Sequence, residues 1–234
     1  MLDLGSTDFN LAIPSVSAPR LKSLTSELFD EWESYVDQSL ALPDYSLFLQ
    51  IEEGSINGWG KIKSKAGVLF IGISALGGFG SGLETINKQV SATGKFLAEH
   101  AQSAFSCPDE KTTVRKKGGV PASLQRLFLR VQRGELSPEE ATIIANSMLG
   151  DEAAEVPDLY DALADAFRTC PRHHQQVHLP FDDLVELPQT ETSGNGIPKV
   201  PKRLAPELPP PLHYRVEVWR ESKRKRKQTK MTKV

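Results

Sequence analysis

Cysteine is scarce: Cys107 and Cys170 are the only two among 234 residues, too few for a disulfide framework and in keeping with a reducing compartment. Aromatics are slightly sparse at 7%, whereas the 25% of charged residues is an ordinary share for a soluble chain, so global disorder is not the reading. The opening MLDLGSTDFN lacks the basic start, apolar run and small-residue cleavage site of a secretory signal, and cytoplasmic residence is the expectation. Catalytic signatures are missing as well. There is no GxSxG turn and no Gly-Lys-Ser/Thr phosphate loop. Carboxylate pairs such as Glu52 and Glu53 have no histidine or metal-ligand spacing beside them, so a solvated face is the default for them. No repeat of 20 to 50 residues is visible. These absences argue against an enzyme and predict no catalytic residue and no cofactor.

Charge is unevenly distributed along the chain. From Pro198 onward twelve Lys or Arg face three Glu, a local balance of +9, which leaves −11 for the preceding residues within a total of −2. An acidic body therefore carries a basic tail, which either folds back on that body or reaches for an anionic partner. Arg220, Lys223, Arg224, Lys225, Arg226, Lys227, Lys230 and Lys233 concentrate the charge, with Tyr214 and Trp219 nearby. Such a run neutralises phosphates whatever their sequence, so DNA, RNA or an anionic membrane surface are its candidate ligands.

Periodicity places the elements. FNLAI at 9–13 alternates as a short strand. Pro19 to Leu42 reads as a helix, with Leu21, Leu24, Leu28, Trp32, Tyr35 and Ser39 at steps of three and four. YSLFLQIEEG puts Leu47, Leu49 and Ile51 on one side and Phe48, Gln50 and Glu52 on the other, as a half-buried strand does. The order strand, helix, strand permits parallel pairing. A further strand over 55–62 precedes the apolar segment, and Ile86, Val90, Phe96, Leu97 and Ala101 then mark a helix. Residues 106–120 have the composition of an exposed linker. Beyond it, three helices are expected: one from Pro121 to Gln132, one opened by the capping box Ser137-Pro138-Glu139-Glu140, and one carrying Leu159, Leu163 and Phe167. The middle helix has no Arg or Lys to meet phosphates, which weighs against groove reading by a helix-turn-helix. Past Pro180 periodicity is lost, the proline-rich part reads as an extended spacer, and HYRVEVW (213–219) reads as one strand able to pair with an exposed edge. The expected architecture is an α+β or α/β domain over 1–105, a small all-α domain over 121–180, and a mostly irregular proline-rich basic tail over 181–234.

GVLFIGISALGGFGSGL, residues 67–83, is uncharged and holds six glycines. As a buried strand followed by a phosphate loop it has the right order but the wrong spacing, since Gly78, Gly80 and Gly82 give GxGxG and not GxGxxG. As one helix, 66–83 would be about 27 Å long at ~1.5 Å per residue, just under a bilayer's hydrocarbon thickness of ~30 Å. Ser74, Gly78 and Gly82 would then form a small-residue stripe for close packing in a membrane or a homo-oligomer. The third reading is tight packing within a soluble core. A zinc set of Cys107, Cys170, His174 and His178 lacks a CxxC pair, so no metal site is expected. The function expected from the sequence is that of a non-enzymatic accessory protein, docking a protein partner and contacting nucleic acid or another polyanion through its tail. The alternative is a membrane-associated oligomeric or pore-type protein acting through 66–83.

Overall fold

The computed structural model describes residues 1–12, 16–53, 56–108, 112–154, 156–172 and 213–234. In chain order the elements are β1 (Leu2–Leu11), α1 (Ala18–Ser39), β2 (Ser46–Glu52), β3 (Ile56–Ser64), α2 (Ala66–Ala75), α3 (Phe79–Ala104), β4 (Thr112–Gly118), α4 (Val120–Gln132), α5 (Pro138–Leu149), α6 (Pro157–Thr169), β5 (Tyr214–Arg220) and β6 (Gln228–Lys233), with a short 3-10 turn, Gly150–Ala153, after α5. The strands form one six-stranded sheet in the order β4-β1-β3-β2-β5-β6, and every neighbouring pair is antiparallel. The fold is thus of the mixed α+β kind. The parallel pairing permitted by strand-helix-strand order does not occur. β3 follows β2 closely enough to fold back on it as a hairpin and fills the place between β1 and β2.

Alternation along the strands buries one face. Leu47, Leu49 and Ile51 of β2 and Val216 and Val218 of β5 are all within 2% of full burial, beneath α1, while α3 packs on β1 and β3. α1 presents Leu21, Leu28, Phe29, Trp32 and Val36 to this core, a stripe at steps of three and four that is rotated slightly from the sequence expectation so that Phe29 and Val36 face inward while Tyr35 and Ser39 stay partly exposed. The Trp32 indole donates to the Thr93 carbonyl of α3 at 3.2 Å, fixing the two helices against each other. The helices beyond residue 120 share this core: Phe79 of α3, Phe128 of α4 and Phe167 of α6 stack in sequence, with ring centroids 6.1 and 4.3 Å apart. The capping box at the start of α5 forms as expected, with the Glu140 amide donating to Ser137 Oγ and the Ser137 amide to Glu140 Oε2.

Three expectations are corrected. Residues 112–118, read as part of an exposed linker, form edge strand β4 on β1. Its Arg115, Lys116 and Lys117 hid the strand from a search for alternation, yet such charge is what protects a sheet edge from further pairing. The tail is not irregular where it is described. β5 pairs with β2 on the side that β3 leaves open, as HYRVEVW suggested, and β6 folds back on β5 as a hairpin. Residues 173–212, including the proline-rich spacer, His174 and His178, lie outside the described residues.

The apolar segment is the third correction. VLFIGIS is helical, within α2, and Ala66, Leu69 and Ile73 are its buried side at helical spacing. α2 and α3 meet at 109°, so 66–83 is neither a strand nor one helix. Gly77 (φ +92°) and Gly78 (φ +90°) make the break, in backbone conformations that side chains resist. Ser81 Oγ lies 3.0 and 3.1 Å from the Leu76 and Gly77 carbonyls and shares its one proton between these groups, which the end of α2 leaves open. Gly82 then lies directly on α2: a Cβ there would stand 2.5 Å from the Ile73 carbonyl oxygen. Ser74, Gly78 and Gly82 therefore fall in α2, in the break and in α3, and form no stripe along one helix. Among the described residues no single helix is long and apolar enough to cross a membrane, although α2 and α3 together meet that test as a bent pair.

Candidate functional site

The eight tail cations divide into two groups. The hairpin lies against α1, whose Asp30, Glu33 and Asp37 succeed one another at helical spacing on the side facing β5. Lys227 Nζ reaches both Asp30 carboxylate oxygens at 2.6 Å and Ser26 Oγ at 2.8 Å. Arg220 Nε sits 2.8 Å from Glu33 Oε1 without the alignment of a hydrogen bond, and Lys223 pairs with Asp37 at 2.9 Å while lying 4.7 Å from the Tyr45 ring centroid. Asp44 secures the turn by accepting from Ser222 Oγ at 2.9 Å and from the Lys223 amide at 3.0 Å. Lys225 is paired with Glu221. Arg224, Arg226, Lys230 and Lys233 are exposed, and no ion pair engages them among the described residues.

Local electrostatics follow from this docking. Burial pushes the Glu33 carboxyl above its ordinary value, partly countered by Arg220. For Asp37 burial acts in the same upward sense, but the hydrogen bonds from the Tyr45 hydroxyl and Lys223 outweigh it and hold its carboxyl below the usual range. Tyr45, buried and donating to that carboxylate, is correspondingly hard to ionise.

The sheet's other face has no helix over it among the described residues. Strand alternation turns Phe48 of β2, Trp59 of β3 and Trp219 of β5 to that side. Phe48 is directly opposite Trp219 in register, and its ring meets Trp59 edge-on, with centroids 5.3 Å apart and planes at 62°. Lys61 Nζ lies 5.6 Å from the Trp59 centroid and pairs with Asp3 at 2.6 Å. Two depressions adjoin this cluster, and Trp59 lines both. One, of about 260 Å³, is bounded by Phe48, Trp219, Lys61 and Lys63. The other, of about 450 Å³, has the polar side chains of Asp8, Asn10, Gln50, Asn57 and Arg115 around it as well as the Trp59 ring.

The cations on this face are only partly neutralised. Lys117 pairs with Asp8 at 2.9 Å and Arg215 with Glu52 at 2.6 Å. Lys63, Arg115 and Lys230 have no such partner among the described residues. The end of the sheet that holds Lys63 and Ser46 is also where β5 passes into the turn bearing Arg224 and Arg226. The open face and the turn therefore form one continuous surface with aromatic side chains and unpaired cations. Sequence reasoning found the turn and missed the face. Its signal was present in the β2 alternation, which set Phe48, Gln50 and Glu52 apart from the core side, but nothing local tells that Trp59 and Trp219 join the same side two strands apart.

The remaining candidates do not assemble. Cys107 is buried and Cys170 half-buried, and no cluster of three or more His, Cys, Asp or Glu able to hold a metal occurs among the described residues. No family model matches the chain, and neither a curated protein nor a solved structure shows significant similarity to it.

Proposed function

We propose that this chain is a non-enzymatic nucleic-acid-binding accessory protein that holds a phosphate backbone with the unpaired cations of the open sheet face and the β5–β6 turn. The observation that carries this reading is the joining of Lys63, Arg115 and Lys230 on the open face with exposed Arg224 and Arg226 at its end. Phosphates attract such groups without regard to base sequence, and each contact releases counterions, so affinity falls steeply with salt. Apolar side chains on α5, Ile143 at 69% and Met148 at 40% exposure, supply a separate surface for a protein partner.

The test is fluorescence anisotropy of a labelled oligonucleotide across 50 to 300 mM salt with the full chain and with the double variant Arg224→Glu, Arg226→Glu. The native chain should bind with a steep salt slope, and the variant should lose about 0.7 to 0.9 of slope per phosphate contact removed. Absence of binding at the lowest salt, or binding indifferent to salt, refutes the reading.

A membrane-acting role is a second reading, favoured by one observation: α2 is apolar around its circumference and leaves Ile71 59% exposed. Co-flotation with liposomes that Ile71→Asp abolishes would support it. A chain that stays out of the lipid fraction fails it.

A further inference from the structure

We infer that the ligand of the open face is a single strand, with unpaired nucleobases stacked on Trp59, Phe48 and Trp219; this rests on the nucleic-acid reading above and narrows it. Cations alone do not distinguish a duplex from a single strand, because both present phosphates. Aromatic rings do: a duplex hides the faces of its bases in its own stack, whereas an unpaired base offers a π-face that any flat ring can cover. The three rings stand on three adjacent strands, β3, β2 and β5, which lie ~4.8 Å apart, so successive bases can meet successive rings along a path crossing the strands.

The two depressions beside Trp59 give that path its chemistry. On the side of Phe48 and Trp219 the wall is aromatic, with Lys61, Lys63 and Glu221 at its margin, suited to a base face with a phosphate beside it on the lysine side. On the other side Asn10 donates to Asn57 and Gln50 to Glu52, and the donors and acceptors these amides keep spare, with Arg115 next to them, suit a base edge. Trp59 is shared by both, and is therefore the ring on which most depends. None of this apparatus is needed by a ligand that is phosphate alone. The flanking Lys63, Arg115 and Lys230 supply the charge complementarity for the backbone, and the acidic Asp8, Glu52 and Glu217 that interrupt them disfavour a uniformly anionic rod lying flat across the face.

The experiment compares four probes on the full chain at one low salt concentration: oligo(dT) and oligo(U) of twelve nucleotides, a twelve-base-pair duplex, and an abasic strand of the same length. The expected result is that one or both base-bearing single strands bind best, with their ratio telling DNA from RNA. Trp59→Ala should weaken them by about 5- to 100-fold and change duplex and abasic binding less than twofold, while Trp59→Phe recovers most of the affinity. Intrinsic fluorescence provides a readout that needs no variant: Trp32 is buried at 1% exposure, so quenching by oligo(dT) or oligo(U) but not by the abasic strand reports bases on Trp59 and Trp219. Equal binding of all four probes, without quenching and without loss in Trp59→Ala, overturns the stacking and leaves the backbone contact standing. Binding of no probe overturns both. Self-association that Trp59→Ala disperses and that oligonucleotide does not displace shows that a second copy occupies the face, and overturns the inference as well.

Discussion

Replacing Gly82 with alanine sets two effects of opposite sign against each other, and the structure decides which is larger. In an isolated helix the change would stabilise by about 1 kcal/mol, since glycine is the poorer helix former. At this position the new Cβ would stand 2.5 Å from the Ile73 carbonyl oxygen and 3.0 and 3.1 Å from its Cα and carbonyl carbon. All three are backbone atoms of α2, with no rotamer to swing aside, so the helices must separate by several tenths of an ångström. Overpacking of this kind costs typically about 1 to 3 kcal/mol, and because backbone yields less than side chains the upper part of that range applies. The net loss is then about 1 to 2 kcal/mol, or a fall in Tm of roughly 2 to 8 °C for a chain of this size. Gly80 is the internal control. It lies two residues away in the same helix, is exposed, and has nothing within 4 Å of its built Cβ, so Gly80→Ala should leave Tm unchanged or raise it by a few degrees. The assay is reversible thermal unfolding of both full-length variants followed by circular dichroism. A Gly82→Ala protein as stable as the native chain, or ranking level with Gly80→Ala, would refute the claim that this glycine exists for the α2–α3 contact.

Two further outcomes follow from the hairpin dock. Lys227→Ala removes the contact to Asp30 and Ser26; with Lys227 25% and Asp30 56% exposed, solvent screening keeps the loss to about 1 kcal/mol or less, seen as faster amide exchange in β6, and unchanged exchange there would contradict the dock. Asp37, whose carboxyl is held below its ordinary value, contributes stability above the unfolded carboxylate's pKa and loses it as pH falls through its lower folded value. The gap in urea midpoint between native chain and Asp37→Asn should therefore be present at pH 7 and close as pH drops below about 4; an equal gap at pH 7 and pH 3 would rule out this linkage.

Elements with strong local patterns were legible from sequence. α1 and α5 announced themselves through apolar steps of three and four and through a capping box, and β2 through alternation, because each of those signals lies within one element. What escaped depended on partners far along the chain. β1 begins at Leu2, seven residues before the stretch read as a strand, because its glycine and polar residues gain strand geometry only by pairing with β3 and β4. β4 was hidden by its charges. α2 was ambiguous by composition, since an apolar run that short suits a buried strand or a buried helix alike, and the decision came from the seam that Gly82 opens for Ile73. Parallel pairing of β1 and β2 was a permitted topology that lost to the shorter β2–β3 hairpin connection. The aromatic trio needed the whole strand order before its members could be seen as neighbours.

The docked hairpin also changes what the charge asymmetry means. A balance of +9 after Pro198 suggests a tail available to a polyanion, yet Arg220, Lys223 and Lys227 are engaged with α1 and Lys225 with Glu221. The acidic body and the basic tail are, to that extent, partners of one another. Arg224, Arg226, Lys230 and Lys233 remain among the tail cations named above, too few for strong phosphate binding on their own, because affinity at physiological salt grows with the number of phosphates neutralised. A backbone contact of useful strength therefore has to be completed by cations from elsewhere in the chain, and Lys63 and Arg115 are on the face adjoining the turn. Deleting residues 220–234 would consequently be a poor test of the tail. It removes β6 and the ties to α1, uncovers the β5 edge, and would abolish binding whether or not any deleted side chain touches a ligand. Charge reversal at Arg224 and Arg226 leaves the dock intact, so a loss of salt slope in that variant belongs to the contact itself.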